Sequence, residues 1–132
     1  MKLIIPFLLL ISVQFSCNAQ SKSDSKSSNE TLSFIDIDNQ TALKMMSSSK
    51  DLLVLDVRTP EEIAKGKIGS ALEIDYKGVD FKSKLAQLDK NKPIIIYCAV
   101  GGRSGATMKI MKEMGFNAVY NLAGGYNGWE KN

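Results

Sequence analysis

One cysteine stands where an apolar run ends and a glycine-rich turn begins, in the stretch PIIIYCAVGGRSGATMKIMKEMG at 93–115. Cys98 is a nucleophile only as its thiolate. It is followed by Ala99, Val100, Gly101, Gly102 and Arg103, and then by Ser104, where a helical pattern starts. Glycines let the backbone curl until successive N–H groups point inward. A helix start adds unpaired donors and the positive end of the dipole. Arg103 adds a fixed cation or braces the loop. Together these make an anion bowl with a sulfur at its floor. A free cysteine with a pKa near 8.5 is only about 3% ionised at pH 7, whereas one near 6.5 is about 75% ionised. The same bowl suits the outer sulfur of a persulfide or an oxyanion. The plainer alternative is a structural cysteine closing a strand, with glycines that serve only a turn.

Composition narrows the chemistry. The chain has 132 residues, 44% of them hydrophobic, which is enough for one domain and too little for two. The formal charge of +3 carries no Arg or Lys cluster, so a nucleic-acid groove is not expected. There is no histidine, which removes imidazole acid–base chemistry and histidine metal ligands. Two separated cysteines, Cys17 and Cys98, do not make a thiolate zinc site. Neither a metal nor an organic cofactor is expected.

The first twenty residues, MKLIIPFLLLISVQFSCNAQ, read as an export signal: Lys2, then an almost unbroken apolar run from Leu3 to Val13, then small or polar residues. In one reading Cys17 becomes the first mature residue and carries lipid, because FSC resembles a bacterial lipoprotein box. In the other, cleavage falls after Ala19. The lipoprotein reading is preferred, which gives a signal at 1–17, a polar tether at 18–31 and a domain at 32–132. It places the protein in the bacterial periplasm or on the outer membrane, held to the membrane only by its lipid. The tether contains SKSDSKSSNE, which has no apolar anchor. Cys98 is then the lone thiol of an exported domain, with no disulfide framework around it.

The elements that must position Cys98 follow from periodicity. LSFI suggests a short edge strand. DNQTALKMMSSS suggests a helix capped by Asp38 or Asn39, with Ala42, Leu43, Met45 and Met46 inward. DLLVLDV, Asp51 to Val57, is a strand. Thr59, Pro60 and the acidic residues after them open a short helix that Gly66 ends. ALEI is a weaker strand, and VDFKSKLAQLDK an amphipathic helix burying Phe81, Leu85 and Leu88. PIIIYC is a strand buried on both faces. Ser104 to Met114 form a helix with Ala106, Ile110 and Met114 spaced for packing. AVYNL is the last strand, and AGGYNGW a glycine-rich terminal turn. Alternating strands and helices, with apolar strands throughout, predict an α/β fold around a parallel sheet.

Three stretches in order resemble the rhodanese-like (sulfurtransferase) domain family: LLVLDVRTPEEIAKGKIGSALEI, IIIYCAVGGRSGATMKIMKEMGF and NLAGGYNGW. The resemblance spans Phe34 to Trp129. It implies a five-stranded parallel sheet with helices on both faces, and sulfur transfer through a cysteine persulfide. Carried over by position, Cys98 is the persulfide carrier. Ala99, Val100, Gly101, Gly102, Arg103 and Ser104 form the cradle, and Asp56 and Arg58 brace the catalytic loop. Lys67 stands where the family usually has a histidine, and Gly69–Ser70 replace the usual Pro-Gly; Lys67 is given no catalytic role.

The implied partners are a small sulfur-containing anion or persulfide donor and a thiol acceptor, which can be a protein, acting on a monomer. Rivals remain. A cysteine phosphatase needs five residues between Cys and Arg, but only four intervene here and Ser104 occupies the required place. A dithiol oxidoreductase lacks its second cysteine. A non-catalytic sulfide carrier or protein-binding module of the same fold keeps every residue named so far.

Overall fold

The computed structural model describes residues 31–129. The stretch expected to be an export signal, the expected lipidation site Cys17, and the expected tether up to residue 30 lie outside the described residues.

The fold grows from the most apolar strand. Ile94–Tyr97 (β4) is buried along its whole length. Its side chains alternate between two layers. Ile94, Ile96 and Cys98 join one core cluster with Phe81, Leu85 and Met111, while Ile95 and Tyr97 join another with Ala42 and Leu122. A strand covered on both faces must sit inside a sheet. It does, in a five-stranded parallel sheet of order β1-β5-β4-β2-β3. Here β1 is Ser33–Ile37, β2 Leu53–Asp56, β3 Leu72–Glu73 and β5 Ala118–Leu122. The expected edge strand near LSFI is β1, which pairs only with β5. The weak ALEI strand shortens to two exposed residues at the opposite edge.

Five helices connect and cover the sheet: α1 Asn39–Ser48, α2 Pro60–Ile63, α3 Phe81–Ala86, α4 Gly102–Glu113 and α5 Gly125–Trp129. Local chemistry starts two of them. Asp38 accepts the Thr41 N–H at 2.8 Å and caps α1, a bond type worth about 1 kcal/mol. Thr59 and Glu62 close a reciprocal capping box around α2, with Pro60 at its first position.

Some expectations about packing and element bounds are corrected. Leu43 is 52% exposed, so α1 buries Ala42 with Met45 and Met46 at its margin. The deep stripe of α4 is Ser104, Thr107 and Met111, not Ala106, Ile110 and Met114, which lie half-buried. Ser104 can lie deep because the Cys98 sulfur accepts its hydroxyl, and Thr107 because the Arg103 carbonyl of the same helix accepts its own. The terminal glycine-rich turn is a short helix, α5, seated against that same loop. The helix at VDFKSKLAQLDK covers only Phe81–Ala86, leaving Val79 fully exposed.

Candidate active site

In an open parallel sheet the carboxyl ends of neighbouring strands enclose the ligand site. Cys98 leaves the carboxyl end of β4, and α4 begins four residues later. The loop between them can close this tightly because Gly101 takes a left-handed conformation at φ 96°. A Cβ there would run into the Ala123 carbonyl oxygen. In this geometry the Gly101 N–H donates to Cys98 Sγ at 3.2 Å, and the Ser104 hydroxyl donates to the same sulfur at 3.4 Å. Beneath lies apolar packing, with Leu55, Val57 and Met111 in the same cluster. The residue is 1% exposed. The sulfur therefore has a greasy floor and a polar roof.

Burial pushes the Cys98 thiol up. Hydrogen bonds from the Ser104 hydroxyl and from the N–H groups of Ser104, Val100 and Gly101 outweigh it and leave the pKa lowered. The other loop residues do different work. The Cys98 and Ala99 carbonyls accept the N–H groups of Tyr126 (2.8 Å) and Asn127 (3.0 Å), which staples α5 onto the loop. Val100 stands exposed on the crest, and Gly102 is the exposed first residue of α4.

Arg103 is not a free cation: it faces the Cys98 sulfur but is paired with a carboxylate. Its Nη1 and Nη2 form a bidentate pair with Glu62 at 2.7 and 2.6 Å, which ties α4 to α2. Of the two roles open to it from sequence, the structure favours the brace. Glu62 was read only as an acid in the first turn of a helix. Its capping-box spacing from Thr59 is visible in sequence, but its pairing with Arg103 is not.

That pair holds the Glu62 carboxyl at a pKa of about 2, against a burial effect that acts upward. A folded pKa below the unfolded value means the stabilisation is complete above about pH 4.5 and is lost as pH falls toward 2. Replacing Glu62 by Gln should remove this component, about 1 kcal/mol for a partly solvated bidentate pair. Urea midpoints of the native protein and Glu62→Gln should therefore converge between pH 4.5 and 2. Parallel curves would show that the pair contributes nothing.

Asp56 and Arg58 are brought together and buried, at 0% and 3% exposure. Arg58 Nε lies 3.0 and 3.1 Å from the two Asp56 oxygens, and Nη2 bonds Asp56 at 2.7 Å and the Gly66 carbonyl at 2.7 Å. The guanidinium sits 3.9 Å from the centre of the Tyr126 ring and 5.5 Å from that of Tyr97. Support for the loop is thus indirect, through Tyr126 and through the residue preceding Cys98. Burial, with Asp56 beside it, pushes the Tyr97 phenol up, and its oxygen accepts the Ile68 N–H at 3.0 Å. Lys67 turns away, reaching Glu73 at 2.6 Å and the Ala71 carbonyl at 3.2 Å. Beside the loop a cavity of about 300 Å³ is lined by Arg58, Glu62, Lys65, Ala99, Tyr126 and Asn127.

The family model of the rhodanese-like domain matches residues 38–132. The chain belongs to the rhodanese-like domain family. Among its relatives, a protein named sulfurtransferase from Allochromatium vinosum is 30% identical over 96 residues, covering 73% of this chain and 88% of the relative. The thiosulfate sulfurtransferase GlpE of Coxiella burnetii is 32% identical over 81 residues, 61% of this chain and 74% of that protein. The crystal structure of a rhodanese-like domain protein from Staphylococcus aureus superposes with a TM-score of 0.64 at 30% identity, covering 71% of this chain and 89% of that one. This rhodanese-like domain therefore has the expected five-stranded parallel α/β fold and lies among proteins named sulfurtransferases.

Proposed function

We propose that the domain transfers sulfane sulfur through a persulfide on Cys98. The observation that carries this reading is the convergence of the Gly101 N–H and the Ser104 hydroxyl on the Cys98 sulfur. Donors that hold a thiolate also hold the terminal sulfur of Cys–S–S⁻, because both carry negative charge on sulfur.

The reaction runs in two displacements. The Cys98 thiolate attacks the outer sulfur of thiosulfate or of a persulfide donor. A new S–S bond forms, the donor's S–S bond breaks, and sulfite or the donor thiolate leaves with the electron pair. An acceptor thiolate, or cyanide in an assay, then attacks the outer sulfur of the Cys98 persulfide. The product carries that sulfur away and Cys98 returns to thiolate. No proton must be removed in either step once the nucleophile is ionised, which suits a site without histidine.

The covering of Cys98 favours a second reading. A sulfur in a residue 1% exposed suits a carrier that is loaded slowly, or that yields its sulfur only to a protein docked over the loop. One experiment distinguishes the two. After treatment with thiosulfate or a persulfide, the Cys98 peptide should gain about 32 Da. Steady-state turnover with a second thiol then marks an enzyme, and loading without turnover marks a carrier. No mass gain with any donor would refute both.

A further inference from the structure

The carboxyl end of β5 places one polar side chain against the back of the loop, and the transfer chemistry above gives it no task. Asn121 is 4% exposed. Its Nδ2 donates to Asp36 Oδ1 on β1 at 2.8 Å and to the Gly101 carbonyl at 3.3 Å. Both partners only accept, so the amide orientation is determined: the NH₂ must face them. Its Oδ1 is then sealed from solvent and accepts no hydrogen bond among the described residues.

A buried carbonyl without a donor is unfavourable, and a leucine of similar size would avoid the penalty. What leucine cannot do is hold the Gly101 carbonyl. That carbonyl also accepts the Gly105 N–H at 3.0 Å, the first turn of α4. Gly105 lies beside the amide: a Cβ there would touch Asn121 Nδ2 at 3.4 Å. Glycine alone is free to swing through left- and right-handed conformations, so a Gly101 that must aim its N–H needs an external hold.

We propose that Asn121, anchored by Asp36, is a positioning residue: by holding the Gly101 carbonyl it fixes the backbone torsions of Gly101, so that the N–H of the same residue, in the preceding peptide unit, stays aimed at the Cys98 sulfur. The inference rests on the reading of Cys98 as a working thiolate. The charged group facing the sulfur is Arg103, with Glu62 as its counter-charge, and both are untouched by a change at 121.

The test follows the ultraviolet absorbance of the thiolate against pH in the full chain. Each protein is measured as a difference against the same chain carrying Cys98→Ser, so that Cys17 cancels. Asn121→Leu should raise the midpoint by about one pH unit, a tenfold loss of thiolate below the midpoint. Its melting temperature should hold, because the unpaired carbonyl goes with the amide. Asp36→Ala, on an exposed edge, should raise the midpoint in the same direction by less. A lower melting temperature with an unchanged midpoint would overturn the inference and leave Asn121 a structural residue. If Asn121→Leu fails to fold, Asp36→Ala decides: a raised midpoint supports the lock and an unchanged one refutes it. None of this requires sulfur transfer. A native chain that never loads sulfur, yet shows the shift, refutes the transfer reading and supports the positioning role.

Discussion

Cys98→Ser is expected to bring sulfur transfer down to the uncatalysed background while the domain stays folded. The serine oxygen is smaller than sulfur, so the exchange adds no steric strain, and it meets the same surroundings. The Gly101 N–H and the Ser104 hydroxyl both lie within hydrogen-bond range of the native sulfur, and an oxygen accepts from them at least as well. The apolar floor of Leu55, Val57 and Met111 does not change. The melting temperature should therefore move by only a few degrees. The chemistry cannot survive the exchange. A serine hydroxyl stays protonated at neutral pH, the site has no histidine to ionise it, and oxygen forms no stable analogue of the persulfide. Loss of the nucleophile should cost at least about 10³-fold in rate. A thiosulfate-to-cyanide assay, run beside a thermal melt, checks both halves. Retained turnover would remove Cys98 from the mechanism.

The second large effect is expected at Gly125, a residue whose backbone presses against the loop that carries Cys98. Gly125→Ala should destabilise the domain by about 3 kcal/mol or more, lowering the melting temperature by more than about 10 °C. Gly125 opens α5 at φ +57°, and a Cβ there would stand 2.5 Å from the Ala99 carbonyl carbon and oxygen and 2.6 Å from the Cys98 carbonyl oxygen. All three are backbone atoms, so no side chain can rotate away. Relief requires α5 to lift from the loop, which breaks the bonds from Tyr126 and Asn127 to those same carbonyls. Tyr126 also covers the buried Arg58 guanidinium, so the damage reaches the Asp56–Arg58 pair. A melt within a few degrees of the native one would show that α5 is not the clamp described.

These two positions divide differently between sequence and structure. Cys98 was legible at once. A soft nucleophile after a continuous apolar strand, followed by glycines and a helix start, is a local pattern, and its meaning lies within seven residues. Gly125 reads from sequence as part of a glycine-rich terminal turn, and nothing near it in sequence reveals that another backbone passes within van der Waals range.

The same contrast runs through the helices. Asp38 and the Thr59–Glu62 box were readable as caps because their partners lie three residues away. On α4, Ile110 and Met114 do pack against the core as their spacing suggests, but only partly buried. The depth of Ser104 was not legible because the sulfur that accepts its hydroxyl lies outside the helical pattern. Leu43 was placed inward on apolarity alone, yet the covered side of α1 runs through Ala42, Met45 and Met46 and leaves Leu43 outward.

What the sequence by itself determined is the order of strands and helices, the parallel sheet implied by that order, and the position of a cysteine at the carboxyl end of the most apolar strand. Only the tertiary structure decided that Arg103 serves Glu62, 41 residues away, and that Asn121 joins Asp36, 85 residues away, to the back of the loop. Periodicity and capping act over one or two turns and leave their mark in neighbouring letters. A bond between the carboxyl ends of different strands exists only once the sheet has set them side by side, so no short stretch of chain records it.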